Sequence, residues 1–132
     1  MERYFQKEIE TMPLERMRQL QSERLVEQVR HVYDHVAFYR KRMDASGVKP
    51  EQIHGIEDLH KLPFIEKDDL RDQYPYGLLG APLEDCVRIQ STSGTTGRRV
   101  VAFYTKEDIA LWEDCCARAI VAAGGTRSDG SM

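Results

Sequence analysis

Only two stretches of this chain have a pattern that suits a β-strand, and they are neighbours. Cys86–Gln90 sets Val87 and Ile89 against Arg88 and Gln90, the period-two alternation of a strand. Val100–Tyr104 is β-branched and aromatic, which suits a pleated surface. Everything before residue 85 is helical in period or broken by proline. The expected sheet is therefore a single hairpin around Ser91–Arg99. Two strands are marginal on their own in water, so this hairpin must bury a face against something else.

With 132 residues, the chain is long enough for one domain and a core without disulfides or metal. An apolar share of 41% against 31% charged excludes collagen-like and wholly disordered classes. The net charge is −3 and the pI about 5.8, whereas a duplex-binding protein carries a basic excess. No nucleic-acid partner is expected. The longest apolar runs, Val100–Tyr104 and Ala119–Ala123, fall far short of the ~20 residues that cross a bilayer. No membrane partner is expected. The first ten residues are charged and lack an apolar core, so no secretory signal is read there. Cys86, Cys115 and Cys116 have neither zinc-knuckle nor disulfide spacing. They are expected to be reduced core residues of a cytoplasmic protein, with nothing electropositive nearby to activate them.

From the start to about Asp44 the pattern is helical. Leu14, Met17, Leu20, Leu25, Val29, Val32 and Val36 recur in steps of three and four and make one stripe. Thr11 is the expected cap, with Pro13 in the first turn, where a missing N–H costs nothing. From Gly47 to Asp85, Pro50, Pro63, Pro75 and Pro82 leave room only for short helices. These are expected near Pro50–Ile53, Glu57–Lys61 and Glu66–Gln73. Ile53, Ile56, Leu59, Leu62, Phe64, Leu70, Tyr74, Tyr76, Leu78 and Leu79 make this an ordered wrapping segment. After the second strand, Thr105 caps a helix and Asp108 reaches back. Ile109, Trp112, Cys116, Ala119, Ile120 and Ala123 form its apolar stripe, with Trp112 expected in the core. Gly124 and Gly125 end the helix through left-handed geometry.

Between the strands lies Ser91-Thr92-Ser93-Gly94-Thr95-Thr96-Gly97-Arg98-Arg99. Its glycines let backbone N–H groups turn inward and form an anion nest. The hydroxyls add donors that rotate to suit phosphate oxygens, and the two arginines add bidentate cations. It is not a Walker A loop: no glycine precedes Lys-Ser or Lys-Thr, and the loop joins two strands. A flexible polar hairpin loop has the same composition, so residue types alone leave both readings open.

Thr92-Ser93-Gly94-Thr95-Thr96-Gly97 resembles the phosphate-loop signature of the adenylate-forming superfamily of acyl- and aryl-CoA synthetases. Phe38-Tyr39-Arg40-Lys41, Leu62-Pro63-Phe64 and Lys67–Gly77 are similar to the amino-terminal region of phenylacetate–CoA ligases. So are Val87-Arg88-Ile89, Tyr104-Thr105, Asp108, Trp112 and Ala122–Gly125. Three positions depart from that family. Arg99 stands where proline is usual, Val100 where threonine or lysine is usual, and Ala37 where many relatives have a proline that would break the first helix.

The resemblance implies an α+β fold. Residues 1–85 would be a helical amino-terminal region wrapping the large domain. Residues 86–132 would begin the adenylating domain with a strand, phosphate loop, strand and helix, truncated thereafter. The implied activity joins an aryl acid to coenzyme A with ATP, releasing AMP and pyrophosphate. Thr92, Ser93, Gly94, Thr95, Thr96 and Gly97 would contact the ATP phosphates, with Arg98 assisting. Implied partners are ATP, Mg2+ held by residues outside this chain, coenzyme A and an aryl acid. The parent enzyme is expected to be a homodimer. No catalytic residue and no metal ligand is assigned here, and the chain is expected to be an amino-terminal fragment inactive alone. Two alternatives stand: a ligase for a different acid, or a non-enzymatic protein that associates through its open sheet edge.

His31 and His35 are four apart on a helix, but no third ligand or HExxH pattern accompanies them, so no metal is expected. Tyr33, Phe38, Tyr39, Tyr74 and Tyr76 suit either an aromatic acid pocket or packing of the wrapping segment. Packing is the expected role. The loop hydroxyls have no histidine near them in sequence, so no nucleophile arrangement is read.

Overall fold

The computed structural model describes residues 3–93, 97, 99–126 and 129. Five α-helices and two strands follow in the order α1 (Lys7–Glu10), α2 (Leu14–His35), α3 (Ala37–Ala45), α4 (Lys67–Asp72), β1 (Cys86–Ser91), β2 (Val101–Thr105) and α5 (Lys106–Ala122). Single 3-10 turns occupy Pro50–Gln52, Ile56–Lys61 and Leu83–Asp85. The expected α+β class and each short helix of the wrapping segment are found.

The long amino-terminal helix is two helices, not one. Val36 takes an extended backbone, φ −119° and ψ 103°. Its N–H closes α2 on the Val32 carbonyl at 2.9 Å, and its carbonyl accepts the Arg40 N–H at 3.2 Å to open α3. No proline is needed for this break. Arg40 Nε donates to the Tyr33 carbonyl at 2.8 Å, and Arg40 Nη2 donates to the Asp34 carbonyl. A guanidinium on the final carbonyls satisfies orphan acceptors at the negative end of the helix dipole. Val36 itself is buried at 2% exposure, so its side chain anchors the bend. Thr11 does not cap α2. Its hydroxyl donates to the Lys7 carbonyl at 2.7 Å and closes the separate short helix α1, while Pro13 stands at the cap position itself. Leu14, counted in the apolar stripe, is exposed.

The bend folds α3 back onto α2. Val29, Met43 and Ile53 make the buried core, with Leu25, Tyr33, Val48 and Leu62 packed around it. A polar triangle closes its rim. Tyr33 Oη donates to Asp44 Oδ1 at 2.8 Å. Lys49 Nζ donates to both, at 2.8 Å and 2.5 Å. The Lys49 ammonium, then the Tyr33 hydroxyl, hold the Asp44 carboxyl below its usual range. The wrapping segment is pinned to α2 where Ser22 Oγ accepts the Ile56 N–H at 3.1 Å. Gly55 permits this approach, since a Cβ there would lie 2.8 Å from Ser22 Oγ. An Arg42–Asp69 ion pair ties α4 to α3. Not all of the segment's apolar residues are covered: Leu59 and Phe64 are exposed, and Tyr74 and Tyr76 are about half exposed.

β1 and β2 pair antiparallel, with Arg88 opposite Tyr104, Ile89 opposite Phe103 and Ser91 opposite Val101, and one irregularity between Cys86 and Arg88. The α5 cap is as expected. Thr105 Oγ1 accepts the Asp108 N–H at 3.2 Å, and Asp108 Oδ2 accepts the Thr105 N–H at 2.8 Å. Its end is a Schellman turn, with the Gly125 N–H on the Ile120 carbonyl and the Gly124 N–H on the Val121 carbonyl, each at 2.9 Å. Of these two glycines only Gly124 has a positive φ, +93°.

The core roles expected in this half are not found. Trp112 is 39% exposed and Ile120 59%. Cys115 and Cys116 are free and exposed, and Cys86 is free and only part-buried. Nor does Cys115 lack a cationic neighbour: Arg118 Nη2 donates to its sulfur at 3.2 Å. The stripe on α5 is apolar by period, but within the described residues no layer covers it.

Three substitutions test this architecture. Ile53→Ala, at 2% exposure, is expected to cost about 2–5 kcal/mol by urea denaturation. Ile89→Ala, at 61% exposure, is expected to change the isolated chain's midpoint little. Asp58 is held down to about 2, chiefly by its hydrogen bond from Lys61 and then by the His54 backbone N–H. Its stabilisation is present above the unfolded carboxyl value and is lost as pH falls toward 2. Asp58→Asn is expected to flatten the decline in stability between about pH 4 and pH 2.

Candidate phosphate-binding loop

β1 delivers the chain to Ser91 and β2 receives it at Val101, so the hairpin fixes both ends of the loop. Thr92 clamps its neck twice. The Thr92 N–H donates to the Val100 carbonyl at 3.0 Å, and Thr92 Oγ1 accepts the Val100 N–H at 3.2 Å. The Val100 N–H occupies one of that hydroxyl's two lone pairs. Ser93 lies exposed just beyond the clamp. Gly97 has φ +118°, with nothing within 4 Å of where a Cβ would sit. A positive φ there favours glycine on backbone grounds alone. Gly94, Thr95, Thr96 and Arg98 lie outside the described residues.

The hairpin's two faces are braced differently. On one, Tyr104 and Trp112 rings lie 5.4 Å apart, and the Arg88 guanidinium sits 5.8 Å from the Trp112 ring. This joins β1, β2 and α5. On the other, the Tyr76 and Phe103 rings are 5.5 Å apart and dock the wrapping segment on the hairpin. A cleft of about 290 Å³ opens beside the loop neck, where Tyr74, Tyr76 and Ile89 meet Ser91 and Arg99. Sequence periodicity did not reveal this cleft. Its one signal was the pair of tyrosines flanking Pro75.

The five aromatic residues named from sequence divide. Tyr33 sits at the α2–α3 rim, Phe38 and Tyr39 pack edge-on at 5.3 Å, and burial pushes the Tyr39 phenol up. Tyr74 and Tyr76 stand beside the loop instead. The His31 and His35 rings lie with centroids 4.8 Å apart and planes tilted by 44°. Among the described residues no group of three or more His, Cys, Asp or Glu side chains is placed to hold a metal ion. No described helix is long and apolar enough to cross a membrane.

No protein-family model matches the chain. Its sequence is 47% identical over 120 residues to a phenylacetate–coenzyme A ligase of Thermus thermophilus, covering 91% of this chain and 27% of that one. It is 46% identical over 121 residues to the Pseudomonas putida ligase of the same description, covering 92% and 28%. It is 42% identical to that of Escherichia coli over a similar span. The chain is a relative of the phenylacetate–CoA ligases. It spans little more than a quarter of the length of these relatives. Solved structures of a 2-hydroxyisobutyryl-CoA ligase share its fold. One, in complex with 2-HIB-AMP and CoA, superposes with a TM-score of 0.79 at 30% identity, over 88% of this chain and 26% of that one. Another, with R3-HIB-AMP, gives 0.82 at 26% identity over 92% and 26%.

The neck clamp is directly testable. Thr92→Val removes the acceptor for the Val100 N–H and is expected to speed hydrogen exchange at Val100 several-fold, as a net hydrogen bond of about 1 kcal/mol implies. Thr92→Ser is expected to leave the rate unchanged.

Proposed function

We propose that this chain supplies the phosphate loop of an AMP-forming phenylacetate–CoA ligase. The observation that carries the reading is a Ser/Thr/Gly loop clamped between two antiparallel strands by Thr92, in a chain related throughout to such ligases. In this reading Thr92, Ser93, Gly94, Thr95, Thr96 and Gly97 hold the β- and γ-phosphates of ATP, and Arg98 assists. Residues 1–85 wrap the large domain, and residues 86–132 begin it.

The reaction joins an aryl acid to coenzyme A in two steps. The carboxylate attacks the α-phosphorus of ATP and pyrophosphate leaves, giving an acyl-adenylate. The coenzyme A thiolate then attacks the acyl carbon and AMP leaves. The loop's part is to bind the departing pyrophosphate through preorganised N–H and hydroxyl donors, an electrostatic role. Magnesium would neutralise phosphate charge when bound, and its ligands are assigned outside these residues. The acid pocket is assigned there too, so the identity of the acid rests on kinship alone. A cytoplasmic location and a homodimeric parent enzyme belong to this reading through the resemblance alone.

With ATP and phenylacetate, the 132-residue chain alone is expected to form no acyl-adenylate and release no pyrophosphate. Titration with pyrophosphate is expected to shift the amide resonances of Thr92, Ser93 and Gly97 with weak, millimolar-range affinity. Gly97→Val is expected to remove those shifts. Adenylate formed by the pure chain would overturn the inactivity. Absence of any shift, or shifts unchanged in Gly97→Val, would overturn the loop assignment.

A further inference from the structure

The two tyrosines flanking Pro75 have no part in holding ATP phosphates, yet the fold brings both to one face of the hairpin. Side chains alternate along a strand, so Ile89 and Ser91 of β1 share a face. They stand opposite Phe103 and Val101 of β2. The Tyr76 ring packs 5.5 Å from the Phe103 ring, and Tyr74 lines the same cleft of about 290 Å³. Arg99 lines it too, two residues before Val101 at the loop end.

The lining has two kinds of chemistry. Three aromatic rings with Ile89 and Val101 make apolar walls, and Tyr74 and Tyr76 keep 55% and 56% of their surface open to a ligand. Among the described residues of the lining, Arg99 is the one charged group, and no carboxylate opposes it. Its guanidinium is exposed and presents a planar fork that matches a carboxylate. Size narrows the ligand further. A cavity of about 150 Å³ accepts a benzene ring, so this cleft suits one ring with a short acidic arm. Inorganic phosphate would leave the rings unused, and a neutral aromatic would leave Arg99 unused.

We propose that this cleft binds a single-ring aromatic carboxylate. The ring lies against Tyr74, Tyr76 and Phe103, and the carboxylate meets Arg99. This is a second place for such an acid, separate from the pocket in which it would be activated, which is assigned outside these residues. Binding there needs nothing of the glycine loop, although the ligand would touch Ser91 and Arg99, where the two strands enter that loop.

The test is an NMR titration of the 132-residue chain with phenylacetate as the probe. Magnetisation transfer from the ligand's ring protons to the Ile89 and Val101 methyl groups is expected, with an affinity on the order of 1 mM for a ligand of this size. Acetate has no ring and benzyl alcohol no charge, and each is expected to bind at least ~10-fold more weakly. Arg99→Gln is expected to weaken phenylacetate binding about 3- to 5-fold, the scale of an exposed ion pair. Ile89→Glu, which sets a like charge in the cleft, is expected to weaken it further. Both positions are exposed, and unchanged Val29 and Met43 methyl resonances would show that the core is intact. Gly97→Val is expected to leave phenylacetate binding unchanged while it removes the pyrophosphate shifts, so the cleft and the phosphate loop are scored separately. Absence of transfer to Ile89 and Val101, equal binding of benzyl alcohol, or an unchanged affinity in Arg99→Gln would overturn the proposal. Loss of phenylacetate binding in Gly97→Val would overturn it as well, by placing the ligand in the loop.

Discussion

The bend at Val36 sets the geometry of everything amino-terminal to the hairpin. It turns α3 back along α2 and brings Met43 against Val29 and Ile53. Arg40 makes the bend tenable by donating to two carbonyls that the end of α2 would otherwise leave unpaired. Were the helix continuous to Asp44, Met43 would lie more than a full turn past Val36 along the same axis and could not close the core. The Tyr33–Asp44–Lys49 triangle forms only because the two helices have folded together.

That core is closed, and the hairpin half is not. The contrast explains why one chain holds both a well-packed helical region and a sheet whose apolar residues face outward. The two halves meet through specific contacts: Tyr76 on Phe103, and Arg118 Nη1 on Gln6 Oε1 at 2.7 Å. The hairpin neck holds the two ends of the loop, where Thr92 meets Val100. In the proposed reading the loop's chemistry would depend on backbone N–H groups being held in place, which gives the Thr92 clamp a part in binding.

Kinship with phenylacetate–CoA ligases accounts for both halves together. A phosphate-binding loop does its work between a nucleotide and other parts of an active site. In the proposed reading, a chain matching little more than a quarter of its relatives' length would contribute one wall of such a site.

Local signals were legible in the sequence alone. The alternation of Cys86–Gln90, the branched run Val100–Tyr104, the Thr105–Asp108 cap and the prolines from 50 to 82 each act over a few residues, and each element formed where its pattern lies. The position of the loop between the two strands was legible for the same reason, while its residue types alone left a phosphate cradle and a plain polar turn both open. Tertiary structure alone decided the break at Val36, the true role of Thr11, and the exposure of Trp112 and the cysteines. Helical period cannot report a break whose stabilising group, Arg40, lies beyond it in the next helix. It also cannot report burial, because an apolar stripe is covered only if another layer of chain is present to cover it.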